Sequence, residues 1–504
     1  MIDNYDLDLR SMQEARRLAI AAKEAQREFF HASQAQVDRI VEAMAQAAYE
    51  NAEYLGRLAH EETGYGVALH KKIKNEFASR TIWESIKDVK TVGLIREDRA
   101  KKILEFAWPV GVIAGLTPST NPTSTVIFKV LIAVKARNGI VIAPHPSAKE
   151  SSLEALRIMA QAGEAAGMPS GLISCMTNVT LPGTQELMRH WAVDMILATG
   201  GSGMVKAAHS VGKPAIGVGP GNAPVWVDRS ADVKKAAWDI VNSKAFDSSV
   251  ICATEQSVIA DRPIAAELRA EMEKNGAYWV NAAQKEALAR TLFKPNGAIN
   301  ARTVGKTPQQ LAKLAGIDVP PWARILVADL DKVGPEEPLS REKLTTVLGF
   351  YVEDGWHAGC ERAIQLIKFG GEGHSMVVHA RDEEVIRAFG EEKPVFRLSI
   401  NTWGTLGAIG ATTNLTPSMT LAPGGLGGAV LADNISVQHL LNIKRVAYET
   451  TPPPPEAATL APGVQPLPGQ ALSPSPGFAS APSPAADVDI EAIVRRVLQE
   501  LGKG

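Results

Sequence analysis

From Val110 onward the chain repeats one local pattern: a short apolar run, a Gly, Pro or Ser break, then a helix-compatible stretch. The first runs are Val110–Leu116, Gly139–Ala143, Leu172–Thr177, Met195–Thr199 and Ala215–Val218. Such βα alternation indicates a parallel sheet with helices on its faces. A second α/β unit is predicted from about Val225 to Gly425, carried by Ser257–Ala260, Arg324–Val327, Leu348–Val352 and Met376–His379. Ahead of both, Leu9 to about Asn75 has helical periodicity, with Leu18, Ile20, Phe29, Ile40, Val41, Met44 and Leu55 among Ala, Glu, Lys, Arg and Gln. Residues 93–108 read as a hairpin or arm, and 429–448 as a returning strand-like tail. The expected fold is α/β, with two α/β domains and parallel-type sheets, in keeping with a length of 504 residues that exceeds one core.

The composition changes near residue 451. Pro, Ala, Ser and Gly dominate 451–484, and such a segment buries too little apolar surface to offset its ordering entropy, so a semi-extended linker is expected. In 485–504 the residues Ile490, Ile493, Val494, Val497, Leu498 and Leu501 draw one apolar stripe at helical spacing. Asp487 and Asp489 suit the start of that helix, and Gly502 suits its stop. An isolated helix of this length is marginal in water, which points to a partner surface.

A formal charge of -2 and 45% apolar residues, with no long basic run, argue against nucleic-acid binding. No apolar stretch reaches the ~18 residues of a membrane helix, so no membrane partner is expected. The acidic N-terminus lacks a secretory pattern, and three cysteines favour a reducing, cytoplasmic setting over a disulfide framework.

Cys252 lies between a polar turn, Phe246-Asp247-Ser248-Ser249, and a β-prone run, where a thiol can meet a substrate. A lone Cys in apolar surroundings is more often inert core. Asn121, in Thr117-Pro118-Ser119-Thr120-Asn121-Pro122, ends a predicted strand; Asn-Pro by itself is a common turn. Paired with a nucleophile, a fixed amide there can stabilise an oxyanion. The turns Thr199-Gly200-Gly201-Ser202-Gly203 and Gly217-Val218-Gly219-Pro220-Gly221 let backbone approach a pyrophosphate, but neither fits the usual Rossmann fingerprint. Glu342 could be a surface carboxylate or a ligand-binding one, and His374 a turn residue or a proton acceptor. His357 and Cys360 have a spacing that suits metal ligands, but no second pair is evident; both Cys360 and Cys175 are expected in the core, and no metal site is expected.

Together, Thr117–Lys129, His145-Pro146, Thr199–Gly203, Gly217–Pro224, Asp247–Gln256, Glu342–Leu344, Gly371–Ser375 and Pro417–Gly428 resemble the CoA-acylating aldehyde dehydrogenases over roughly residues 10–448. The resemblance is to the propionaldehyde and acetaldehyde enzymes of bacterial microcompartments and the N-terminal half of aldehyde-alcohol dehydrogenases, without their iron-dependent half. It implies an aldehyde dehydrogenase-like fold, with a dinucleotide/CoA-binding domain over 1–227 (arm 93–108 inserted) and a catalytic domain over 228–428. An oligomerisation strand over 429–450 follows, and the chain is expected to form a homo-oligomer, a dimer of dimers. By the same resemblance Cys252 is the nucleophile, Asn121 the oxyanion donor and His374 an aid to thiol deprotonation. Thr117, Pro118, His145, Gly183, Thr199, Gly200, Gly201, Gly217, Gly219 and Glu342 are implied at the NAD site, with CoA as co-substrate.

Where hydrolytic relatives carry a water-activating glutamate in Glu-Leu-Gly-Gly-Lys, this chain has Gly217. Acyl transfer from a short-chain aldehyde, propionaldehyde or alternatively acetaldehyde, to CoA is the implied reaction. The tail resembles encapsulation peptides, implying a place in a microcompartment lumen and a shell or core protein as partner. A hydrolytic dehydrogenase, a reductase of phosphorylated amino acids and a shell-associated scaffold are the competing readings, the first disfavoured by Gly217 and the last by the Cys252 and Asn121 pair.

Overall fold

A computed structural model of the chain describes residues 6–453. Most of the predicted linker and all of the predicted helix 485–504 lie outside them. Strands β1 (Gly93–Asp98) and β2 (Ile103–Pro109) come first. Then β3 (Val112–Leu116), β4 (Gly139–Ala143), β5 (Ile173–Cys175), β6 (Met195–Thr199) and β7 (Ala215–Val218) form a five-stranded sheet in the order β5-β4-β3-β6-β7. Its neighbours are parallel, with Leu116 level with Ala143 of β4 and with Ala198 of β6.

The second sheet has seven strands: β8 (Pro224–Val227), β9 (Ser257–Asp261), β10 (Ala277–Trp279), β11 (Ile325–Asp329), β12 (Val347–Glu353), β13 (Met376–His379) and β14 (Leu398–Ile400). They pair in parallel in the order β10-β11-β12-β9-β8-β13-β14. β15 (Leu441–Ala447) joins the arm in the order β1-β2-β15. β15 is shorter than the predicted tail strand, because Val437–Leu440 forms a 3-10 turn first.

β8 belongs to the second sheet, so the change of sheet falls before Pro224 and not after residue 227. The two parallel sheets also share one compact unit, residues 6–97 with 104–446. The other unit holds residues 98–103 and 447–453 of the described chain, where the Tyr448 N–H donates to the Lys102 carbonyl at 3.2 Å.

The helix Pro122–Lys135 is buried along its whole length, as expected for a helix apolar on nearly every side. The helix Gln34–Glu50 is amphipathic and buries Val37, Ile40, Val41 and Met44 in the same core, while Ser33 and Gln36 close its start as a reciprocal capping box. The predicted entry layer is thus a cover over the first sheet's main helix. One consequence bears on the site: the N-terminal end of Pro122–Lys135, set by Asn121 and Pro122, is held rigidly at the C-terminal edge of β3.

Candidate active site

Cys252 is half-buried in a turn between the helix Val233–Ala245 and β9, and it lines a cavity of about 540 Å³. The turn before it is unusual. Asp247, Ser248 and Ser249 all have left-handed backbone, with φ of 47°, 49° and 67°. None is glycine, so each carries a conformational cost of about 1 kcal/mol or more. Asp247 supplies the compensation. Its Oδ1 accepts the Val67 N–H at 2.7 Å, its Oδ2 accepts Lys71 Nζ at 3.2 Å and also Lys74 Nζ, and its own N–H donates to His70 Nδ1 at 2.8 Å. Gly66, at φ +69°, lets the chain pass this carboxylate, since a Cβ there would stand 2.0 Å from Asp247 Oδ1.

Asn121 lines the same cavity. It is the N-cap residue of Pro122–Lys135, yet its side chain makes no capping hydrogen bond. The amide serves the site instead. Nδ2 donates to the Val250 carbonyl at 3.0 Å and to Thr120 Oγ1 at 3.2 Å, and Oδ1 accepts Lys74 Nζ. Thr120 in turn offers its carbonyl to Lys71 Nζ at 3.1 Å. Lys71, Lys74 and Asp247 are fully buried. Burial pushes the Lys74 ammonium down to about 8 against the pull of Asp247. Burial also acts to raise the Asp247 carboxyl, but Lys71 and Lys74 bring it below its ordinary range. Nothing in the local sequence pattern singles out these three residues.

Burial first and Glu342 second push the Cys252 thiol up to about 12, while Arg397 and the N–H groups of Cys252 and Ala253 oppose the shift. Glu342 accepts the Gly221 N–H at 2.9 Å, and burial raises its carboxyl to about 8. Among the described residues it is the single acidic one lining the cavity.

The other end of the cavity lies along the C-terminal edge of the first sheet, where β3 separates β4 and β5 from β6 and β7. Open α/β sheets take nucleotides at such a reversal of strand order. Thr117, Pro118, His145, Thr199, Gly200, Gly201 and Gly219 all line it. The Thr117 and Thr199 hydroxyls are buried without partners, and a Cβ at Gly201 or Gly219 would meet nothing within 4 Å. Unpaired donors beside bare backbone at the start of the helix Ser202–His209 fit the phosphates and ribose of a dinucleotide. His145 is tied to Ser147, its ring 2.8 Å from Ser147 Oγ, and burial lowers its basicity.

Three predicted residues stand elsewhere. Gly183 packs the helix Leu181–Arg189 against Leu7–Phe29, because a Cβ there would fall 1.8 Å from Ser11 Oγ. Gly217 turns its missing side chain toward the helix Ser202–His209, where a Cβ would stand 2.6 Å from both His209 Nε2 and Val205 Cγ1. His374 does not line the cavity; it packs beside Gly221, whose Cβ position is 3.1 Å from the ring and 2.3 Å from the Cys252 carbonyl. Its Nδ1 meets Ser375 Oγ at 2.8 Å and its Nε2 is buried without a partner. Burial, with Arg397 second, holds the ring neutral with its pKa near about 3, which makes it a poor base in this state.

Cys360 touches Lys393 Nζ and donates to Glu392 Oε2 at 3.2 Å, away from the cavity lining. His357 does not join it as a ligand, and no metal-binding cluster occurs among the described residues. Among the same residues no helix is long and apolar enough to cross a membrane.

The chain as a whole has counterparts in known proteins. The acetylating aldehyde dehydrogenase of Geobacillus thermoglucosidasius superposes with a TM-score of 0.88 at 50% identity, over 89% of this chain and 99% of that one. A propionaldehyde dehydrogenase from the Clostridium phytofermentans fucose utilisation bacterial microcompartment gives 0.77 at 30% identity, over 85% and 96%. The aldehyde-alcohol dehydrogenase of Streptococcus pneumoniae is 45% identical over 397 residues, 77% of this chain and 45% of that protein. The chain thus spans about half the length of the curated relatives it matches first. Residues 6–286 match the aldehyde dehydrogenase family directly. On its sheets, its site and these likenesses, the chain belongs to the aldehyde dehydrogenase family.

Proposed function

We propose that the protein oxidises a short-chain aldehyde to its acyl-CoA: RCHO + CoA-SH + NAD⁺ gives RCO-S-CoA + NADH + H⁺. The observation that carries this reading is a half-buried thiol and an oriented amide in one cavity with a dinucleotide-type edge. NAD⁺, held by Thr117, Thr199 and the bare backbone of Gly201 and Gly219, would accept the hydride.

The chain's own part is nucleophilic. The Cys252 thiol gives up its proton to solvent, the H⁺ of the overall equation, and the thiolate attacks the aldehyde carbon; the new oxyanion takes hydrogen bonds from Asn121 Nδ2 and the Cys252 N–H. For this the amide exchanges its long bond to Thr120 Oγ1 for the substrate oxygen. Loss of hydride leaves a thioester on Cys252. The CoA thiol then attacks that carbonyl through a second oxyanion at the same donors, and Cys252 departs as the leaving group. A thiol needs far less activation than water, so the absence of a dedicated base at Gly217 favours CoA as acceptor. Glu342, kept near the nicotinamide ribose in this reading, is the group through which water could compete, since a carboxyl near about 8 can act as a base.

Propionaldehyde is the substrate we favour, supported by the likeness to the microcompartment propionaldehyde enzyme and by the encapsulation-like stripe at Ile490–Leu501. With that go a lumen location, capture by a shell or core protein through residues 485–504, and a homo-oligomer built on the exposed arm of β1, β2 and β15. NADH release assayed with propionaldehyde, with and without CoA, tests the reaction. Strict CoA dependence over many turnovers supports it, and sustained turnover without CoA rejects it.

A further inference from the structure

We propose that Lys74 is a positioning residue for the oxyanion amide, holding Asn121 so that its NH₂ group, and not its carbonyl, is offered to the reacting carbonyl oxygen. The inference rests on the reading of Cys252 and Asn121 given above.

An asparagine amide has two ends of nearly equal size and opposite chemistry, and packing alone barely distinguishes them. A lysine ammonium has donors only. Whatever Lys74 Nζ touches must therefore accept, which assigns Oδ1 to that side and leaves Nδ2 facing the Val250–Cys252 segment, where it meets the Val250 carbonyl at 3.0 Å. Were the amide turned round, Oδ1 would face both the Val250 carbonyl and a developing oxyanion, an acceptor set against two others.

The support behind Lys74 is built for rigidity. Lys71 and Lys74, three apart on the helix Ala68–Glu76, project to one side. Both converge on the Asp247 carboxylate, and Lys71 also grips the Thr120 carbonyl beside Asn121. Gly56 lets the helix Ala52–Thr63 press against Ala68–Glu76, since a Cβ there would stand 2.7 Å from the Lys72 nitrogen. The same Asp247 pins the left-handed turn leading to Cys252. One carboxylate thus registers the thiol's loop and the amide's orienting cation against each other. A hydrogen bond from a cation to Oδ1 also polarises the amide, strengthening Nδ2–H as a donor.

The test is a double-mutant cycle read on acyl transfer from acetyl-CoA to Cys252 in the full-length protein without dinucleotide, followed by intact mass. This step passes through the oxyanion and leaves hydride transfer out. Lys74→Met is expected to slow it about 10²-fold, with NAD⁺ affinity measured separately changing less than about twofold. In the Asn121→Ala background the same change is expected to cost less than about twofold more, because the amide it orients is gone. Lys74→Arg, which keeps donors and charge, should recover most of the loss.

Multiplying losses in the two backgrounds, or an unimpaired Lys74→Met, would overturn the inference. If Lys74→Met does not melt cooperatively, Lys74→Gln is carried through the same cycle, where a loss confined to the Asn121 background supports the inference and multiplying losses overturn it. Absence of acyl transfer in the unaltered protein would instead overturn the proposed function itself.

Discussion

Cys252 and Cys360 both have charged neighbours, and the proposed reaction uses only Cys252. Cys360 touches the Lys393 ammonium and the Glu392 carboxylate, a setting that could be read as an activated thiol on residue types alone. Cys252 touches no lysine and has the thiol pushed up to about 12. Yet Cys360 is 3% exposed on a packed helix face in the second sheet's core, while Cys252 opens onto a cavity with an amide donor and unpaired hydroxyls. Burial also raises the Cys360 thiol, so ionisation does not separate the two. Access and a nearby amide donor do. In the proposed reaction the resting Cys252 is thus a protected thiol, its ionisation held back by burial.

The sharpest break of this comparison is to exchange the thiols' roles. Cys252→Ala is expected to abolish NADH formation, by at least about 10³-fold, with an unchanged melting transition. Residual activity above that level, or its loss in Cys360→Ser, would reverse the assignment. Next in size, Asn121→Ala should lower kcat by about 10²-fold with little change in NAD⁺ affinity, since an oxyanion donor acts mainly in the transition state. Steady-state kinetics with both substrates varied would show it.

The protection itself has a pH signature. With its pKa pushed up to about 12, Cys252 in the free protein should be alkylated by iodoacetamide at a rate that climbs about tenfold per pH unit between pH 7 and 10. A plateau by pH 9 would mean an ordinary thiol near 8.5 and would remove the contrast. The smallest effects belong to the core cysteines. Cys360→Ser and Cys175→Ala should each keep kcat within about twofold, with a stability change of about 1 kcal/mol from the altered packing and lost thiol contacts. Chemical denaturation beside the kinetic assay measures both.

Much of the fold is legible in the sequence. The runs Gly139–Ala143, Met195–Thr199, Ala215–Val218 and Met376–His379 coincide with β4, β6, β7 and β13, because strands buried on both faces announce themselves as apolar runs between turn residues. β10 and β14 are not visible there. Each is three residues long and, unlike the equally short β5 within Leu172–Thr177, stands in no comparably long apolar run, so its pairing is decided by the neighbour strand and not by local pattern.

The same limit hides the site's support. Lys71-Lys72-Ile73-Lys74 looks like a solvated charge run on a helix, and nothing local reveals that Asp247, 173 residues on from Lys74, neutralises part of it in the interior. Gly183 misleads for a related reason: a glycine needed by helix packing against Ser11 is indistinguishable in sequence from one that makes room for a ligand. Gly217 reads in the sequence as a missing carboxylate, but its side-chain direction leads into Val205 and His209, so a glutamate there would need a rearranged helix before it could reach the thiol.

The central claim is that Cys252 is acylated in the course of oxidation and released by CoA and not by water. The direct measurement is rapid mixing of the protein with NAD⁺ and propionaldehyde in the absence of CoA, following NADH absorbance and then intact mass. The account predicts a burst of at most one NADH per site, a propionyl group on the peptide carrying Cys252, and renewed NADH formation when CoA is added. Steady NADH production without CoA, with free propionate accumulating and Cys252 unmodified, would contradict it and would make Glu342 the base of a hydrolytic enzyme.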